Sequence, residues 1–175
     1  MKNLVSGADD TNNSLPNYEA NVVKLAPLGS DSPDSLVEAK GVCSVVIVSY
    51  KTGEVLMDCI RSVLRQSKLH QLILVDNGNT RQTIQQLNEI ADKNSKFEII
   101  TGHGNVGFSR GCNLGVRRAR GEYILLLNPD STLQVDTLIP ALEVFQTHPD
   151  TSLLTVRIEN CLLYTSDAAD DRMRG

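Results

Sequence analysis

The chain has 175 residues, 41% of them hydrophobic and 22% charged, which suits one soluble globular domain with a sizeable core. Its net charge of −4 argues against a general nucleic-acid binder, which would offer phosphates a basic face. Cys43, Cys59, Cys112 and Cys161 form no C-x-x-C pair, so reduced thiols of a cytoplasmic protein are expected, not a zinc site or a disulfide frame.

No apolar run approaches the roughly 18–20 residues that span a bilayer, and MKNLVSGADD at the start lacks a signal-like apolar segment. Peripheral docking on the inner face of a membrane stays open. Residues 1–40 read as a poorly ordered tail, rich in Ser, Asp, Asn, Pro and Gly. Within it NVVKLAPL could pack locally, but the tail as a whole lacks the apolar periodicity that would offset the entropy of ordering.

Regular structure is expected from Val42 onward. VCSVVIVSY is a continuous β-branched run, the pattern of a strand buried on both faces. KTGEVLMDCIRSVLRQS follows as a helix whose inner face is Val55, Leu56, Cys59, Ile60, Val63 and Leu64, with Glu54 in its first turn. LILVDN is a second strand. NTRQTIQQLNEIADKN is a second helix, with Thr80 as N-cap and Ile84, Leu87, Ile90 and Ala91 inward. FEIIT, the helix FSRGCNLGVRRAR capped by Ser109, and the strand EYILLLNPD come next. VDTLIPALEVFQTH is helical in part, with Pro140 tolerable near a helix start or at a kink, and SLLTVRI reads as a fifth strand.

Alternating strands and helices with short links predict a parallel α/β sheet. Ligands of such sheets bind beyond the carboxyl ends of the strands. That places Ser49-Tyr50, Asp76-Asn77, the Gly102–Gly107 loop and Asn128–Asp130 on one rim. Asp76 is either a turn former or an acceptor for a base or ribose group. Asp130 is either the N-cap of the next helix or a ligand for a hard divalent cation, which takes one or two carboxylates plus phosphate oxygens. Arg117, Arg118 and Arg120 read as a solvated helix end, with a phosphate clamp as the alternative, and His103 as a solvated loop side chain that could touch a phosphate. His70 and His148 receive no role.

The segment 102–107, GHGNVG, matches the dinucleotide fingerprint G-x-G-x-x-G, and Asp130 follows Gly107 by 23 residues. The fingerprint normally follows the first strand of its domain, whereas here two strand–helix units precede it. Phe108 and Asn113 also have no place in it. The match is therefore ascribed to chance, with a dinucleotide-binding oxidoreductase fragment kept as one rival and a non-catalytic nucleotide-binding module as another.

From Cys161 the register changes to CLLYTSDAADDRMRG. This resembles the read-through translation of a transposon-type sequencing adaptor; the competing reading is a short strand and an acidic turn. Residues 161–175 are accordingly expected to be non-native and residues 41–160 to be one half of a longer domain.

Taken in order, SVVIVSYKTGEVLMDCIRSVLRQ, LILVDNGNT and GNVGFSRGCNLGVRRARGEYILLLNPDSTL resemble family 2 glycosyltransferases, especially the rhamnosyltransferase-like branch. The resemblance implies a GT-A, Rossmann-like parallel sheet with flanking helices that binds a nucleotide-diphosphate-sugar donor. It implies a base and ribose pocket lined by Ser49 and Tyr50, with Asp76 on the pyrimidine base beside Asn77. Asn105, Gly107, Phe108, Gly111 and Asn113 fall on the pattern N-x-G-F-x-x-G-x-N, and by the resemblance Asn105, Gly107, Phe108 and Asn113 shape the donor pocket, with Asn128 also among the donor-binding residues. Asp130 falls on the last Asp of the metal motif D-x-D, where Mg or Mn would bind, but Asn128 and Pro129 replace the earlier acidic positions. The implied reaction is inverting transfer to an acceptor hydroxyl, on a glycan or lipid carrier, in cell-surface polysaccharide synthesis. No residue is assigned as the general base, which the family carries in its acceptor half, so the chain as given is expected to be an inactive fragment.

Overall fold

A computed structural model describes residues 20–24 and 39–156. Its elements in chain order are β1 (Ala20–Lys24), β2 (Ala39–Ser49), α1 (Val55–Leu64), β3 (Leu69–Asp76), α2 (Arg81–Ala91), β4 (Phe97–Ile100), α3 (Phe108–Val116), β5 (Gly121–Leu127), α4 (Leu138–Thr147) and β6 (Leu153–Val156). They form one sheet in the order β4-β3-β2-β5-β1-β6. The four strands β4, β3, β2 and β5 are parallel, as expected for a strand–helix alternation.

The strand β1 corrects the reading of residues 1–40 as a poorly ordered tail. Ala20–Lys24 lies antiparallel between β5 and β6, with Val22 opposite Leu125 on one side and Leu154 on the other. Val22 is fully buried. The segment is too short to show a period of its own, and both of its partners lie far along the chain. Residues 1–19, 25–38 and 157–175, including the adaptor-like segment from Cys161, lie outside the described residues.

Side chains alternate across a strand, and β2 feeds both faces of the sheet. Val45 and Ile47 join the larger core with Leu56, Cys59, Ile60 and Val63 of α1, Leu87 of α2, and Leu138, Leu142 and Phe145 of α4. Truncating one such side chain to alanine typically costs about 2–5 kcal/mol. Val46 and Val48 face the other way, in smaller clusters with Ala119 and with Cys112 of α3. The helix α3 approaches closely because its inner face is Gly111, Cys112 and Gly115, all buried. A Cβ on Gly115 would collide with Val46 Cγ1, and one on Gly111 would come within 2.8 Å of Val48 Cγ1.

The helix ends show where local signals hold. Thr80 caps α2 by accepting from the Thr83 N–H, and Pro140 falls in the first turn of α4. Glu54 sits at the N-cap of α1, one residue outside the helix, without a side-chain cap bond. Ser109 does not cap α3. Gly107 holds that position at φ 78°, a conformation that favours glycine. Asp130 caps no helix either, because α4 starts eight residues later with Thr137 at its cap. The thiols of Cys43, Cys59 and Cys112 are free and buried. Burial pushes Cys43 up to about 12, against a backbone hydrogen bond from Leu125.

Candidate functional site

The register of the parallel strands builds the rim. Ser49, the last residue of β2, pairs with Asp76, the last of β3. On the other side Ile47 pairs with Leu127, which ends β5. The chain therefore leaves the sheet at Tyr50, Asn77 and Asn128 along one edge, and the loop after β4 closes over it.

Asp76 serves the turn and faces outward at once. Its Oδ1 accepts the N–H of Gly78 at 3.1 Å, the N–H of Asn79 at 2.8 Å and Nδ2 of Asn79 at 2.8 Å. Oδ2 has no partner among the described residues. The turn needs Gly78, whose φ is 128° and beside which the Tyr50 ring packs: a Cβ there would meet Tyr50 Cε2 at 3.3 Å. Tyr50 is 50% exposed, and the Lys51 ammonium lies 5.1 Å from its ring centroid. An exposed ring on the same turn as an open carboxylate oxygen can take a flat, hydrogen-bonding group.

Ser49 and Asn77 do not line the site directly as expected. Ser49 is fully buried, and its hydroxyl is occupied by Thr52 Oγ1 at 3.0 Å and by the Asn79 carboxamide. Asn77 is 3% exposed. Its Nδ2 donates to the Gly107 carbonyl at 3.2 Å, and its Oδ1 lies 3.2 Å from His103 Nε2. Because Asn77 Oδ1 can only accept, His103 carries its proton on Nε2. His103 is thus a tether of the glycine loop, not the solvated side chain the sequence suggests, and its Nδ1 is buried without a partner among the described residues.

Within the loop, Asn105 Oδ1 accepts the Gly107 N–H at 3.0 Å. Phe108, the first residue of α3, is 57% exposed at the rim. Asn113 is exposed on the second turn of α3. Arg117, Arg118 and Arg120 lie at the opposite end of α3 from the rim, and Arg118 pairs with Glu98 at 3.2 Å. They are no phosphate clamp for this edge. The loop follows β4, at the far end of the sheet order from β6, so the G-x-G-x-x-G spacing does not occupy the position of a dinucleotide fingerprint.

The end of β5 is barer. The Asn128 carbonyl accepts the Cys59 thiol at 3.5 Å and the Ser131 N–H at 3.2 Å. Asp130 is exposed. Burial, and secondarily the Asp130 charge, push the Cys59 thiol of α1 up to about 12. No group of three or more His, Cys, Asp or Glu side chains that could hold a metal ion occurs among the described residues. One carboxylate fits a divalent cation only if a ligand's oxygens supply most of the remaining coordination.

Sequence reasoning missed Asn79 and Thr52, and it named His103 without its bond to Asn77. Asn79 was readable only as another turn former in DNGN, and its role comes from the adjacency of β2 and β3.

Known proteins resemble this chain in sequence and in fold. GlyG, a glycosyltransferase of Streptococcus pneumoniae serotype 4, is 27% identical over 92 residues, which are 52% of this chain and 31% of GlyG. The poly-beta-1,6-N-acetyl-D-glucosamine synthase of Staphylococcus epidermidis is 25% identical over 113 residues, 64% of this chain and 27% of that enzyme. Among solved structures, S. aureus TarS 1–349 in complex with UDP-GlcNAc superposes with a TM-score of 0.55 at 21% identity, over 62% of this chain and 32% of that one. GalNAc-T7 with UDP, GalNAc and Mn2+ gives a TM-score of 0.56 at 21% identity, over 61% of this chain and 21% of that one. These neighbours share the GT-A fold. The chain spans about a third or less of the length of these curated relatives. The model of the family "Glycosyl transferase family 2" matches residues 44–166, more than half of the chain. The chain belongs to glycosyl transferase family 2.

Proposed function

We propose that this chain is the donor-binding half of a glycosyltransferase of the rhamnosyltransferase-like branch. In this reading the rim takes a nucleotide-diphosphate sugar, and the whole enzyme passes the sugar to an acceptor hydroxyl in cell-surface polysaccharide synthesis. The observation that carries it is Asp76, at the end of a central parallel strand, with one oxygen saturated by the turn and the other open, and with the exposed Tyr50 ring packed on Gly78 of the same turn. That pair suits the edge and face of a nucleobase. The loop from Thr101 to Phe108, tied down through Asn77, covers the neighbouring part of the rim.

Support comes from the complexes of the structural neighbours, TarS with UDP-GlcNAc and GalNAc-T7 with UDP and Mn2+. The relative in S. epidermidis makes a polysaccharide, as its name states. Transfer with inversion is a single displacement. The acceptor hydroxyl attacks the anomeric carbon, the bond to the diphosphate breaks, and a general base takes the hydroxyl proton. A divalent ion, Mg or Mn, would offset the charge that develops on the departing diphosphate. Asp130 would hold that ion together with the diphosphate oxygens. We assign the base to the acceptor-binding part of the enzyme, outside residues 39–156. The native protein in this reading works at the cytoplasmic face of a membrane, where lipid-linked acceptors are found.

Titration calorimetry tests the donor reading. UDP or dTDP in the presence of Mn2+ should bind, and NAD should bind more weakly or not at all. Preference for NAD would overturn it.

A further inference from the structure

Asn79 stands three residues beyond the end of β3 and bonds to Asp76, Ser49 and Thr52. Its backbone N–H and its Nδ2 both donate to Asp76 Oδ1, each at 2.8 Å, and the Gly78 N–H donates to the same oxygen at 3.1 Å. Nδ2 also lies 2.9 Å from Ser49 Oγ. On its other side, Asn79 Oδ1 accepts the Thr52 N–H at 3.2 Å and lies 3.1 Å from the Ser49 hydroxyl. One carboxamide therefore joins the end of β2, the loop into α1 and the end of β3.

A carboxylate that turns freely presents two equivalent oxygens and discriminates little between ligand edges. Three donors on Oδ1 remove that freedom. The second oxygen, Oδ2, has no partner among the described residues and is not sealed from solvent. An ionised carboxylate oxygen only accepts. Held in place, it matches a ring N–H, which uracil and thymine carry. It opposes the ring-nitrogen lone pair that cytosine carries at the same position. Without the Asn79 Nδ2 bond the carboxylate keeps only the two backbone donors, and could tilt toward the amino group of cytosine instead.

We propose that Asn79 is a positioning residue for nucleobase selection: it fixes the Asp76 carboxylate so that a base with a ring N–H, uracil or thymine, is favoured over cytosine. The inference rests on the reading of the rim as a nucleotide-diphosphate site. A purely structural role would weaken all nucleotides alike, so the ratio between two of them is the informative readout.

The experiment titrates the full chain and its variants Asn79→Ala and Asn79→Ser with UDP and with CDP, and follows thermal melting alongside. The unaltered chain should prefer UDP. Asn79→Ala should narrow the UDP-to-CDP preference about tenfold, the scale of one charge-assisted hydrogen bond. Asn79→Ser, whose hydroxyl can still donate to Asp76, should narrow it less. An equal loss for both nucleotides, or no change in the ratio, overturns the proposal. If Asn79→Ala does not fold, an unchanged ratio in Asn79→Ser overturns it and a narrowed one supports it. An unaltered chain that prefers CDP, or binds only a purine diphosphate, also overturns it and leaves the donor reading standing. An unaltered chain that binds no nucleoside diphosphate removes the donor reading, and this inference with it.

Discussion

The two ends of the rim are built differently. At the end of β3, Asp76 is held by three hydrogen bonds to one oxygen, and Asn77 ties the strand to the glycine loop. At the end of β5, Asp130 is exposed and stands without an acidic cluster around it among the described residues. Asp76 is thus preorganised before any ligand arrives, whereas Asp130 gains a role only when a ligand brings charge. Preorganisation lowers the entropy that binding must overcome. The β3 end should accordingly carry stability and nucleotide recognition together, and the β5 end should carry neither by itself.

The largest expected effect breaks the β3 end. In Asp76→Ala, three donors lose their acceptor and the ligand loses the open oxygen. Nucleotide binding should weaken by about 1–3 kcal/mol, and stability should fall by a further ~1–2 kcal/mol, since water can replace part of what the half-buried turn loses. Asp76→Asn separates the two contributions. Its carbonyl oxygen can keep the three turn donors, which turns the amide nitrogen toward the ligand in place of Oδ2. Melting should then stay close to the unaltered chain while UDP binding weakens as in the alanine variant. If Asp76→Asn melts as low as Asp76→Ala, the saturated oxygen is not what organises the turn.

A smaller effect is expected beneath the tether. A Cβ at Gly111 would lie 2.8 Å from Val48 Cγ1 and 3.5 Å from Asn77 Nδ2. Val48 is β-branched and buried at the sheet, so it yields little. Overpacking of this kind costs about 1–3 kcal/mol, and the better helix propensity of alanine returns up to about 1. Gly111→Ala should therefore lower stability by about 1 kcal/mol and weaken nucleotide binding by disturbing the bond from Asn77 to the Gly107 carbonyl. A higher melting temperature in this variant would mean that α3 sits more loosely on the sheet than its small residues imply.

Legibility in the sequence follows how local each cause is. The runs VCSVVIVS and LILV announce parallel strands because both faces must be apolar there, and α2 shows its cap in Thr80. The strand β1 is not announced, because ANVVK owes its order to β5 and β6 and not to its own pattern. Asp76 is visible as an acid at a strand end. The burial of Ser49 and Asn77 and the hub at Asn79 are not, because they depend on which strand ends become neighbours. Gly107 was visible as a loop glycine, but its place at the cap of α3 depends on a positive φ that composition alone does not reveal. His103 reads as solvated until the loop folds back on Asn77.

The smallest effect on the folded chain, and the sharpest contrast with Asp76, is expected at Asp130. Its carboxylate is exposed, and its electrostatic influence reaches the buried Cys59 thiol only as a contribution secondary to burial. Asp130→Asn should leave stability within about 0.5 kcal/mol of the unaltered chain, as for most surface substitutions. Its effect should surface only with a metal present. In chelator the unaltered carboxylate faces the diphosphate as a like charge, so Asp130→Asn should bind UDP as well or slightly more tightly. With Mn2+ the order reverses: the unaltered chain gains an ion shared between Asp130 and the diphosphate, and the variant gains little. The comparison needs four calorimetric titrations, each protein with metal and with chelator. An equal gain from Mn2+ in both proteins would remove Asp130 from the metal site, and a large loss of stability in the variant would show that the β5 end is as prebuilt as the β3 end.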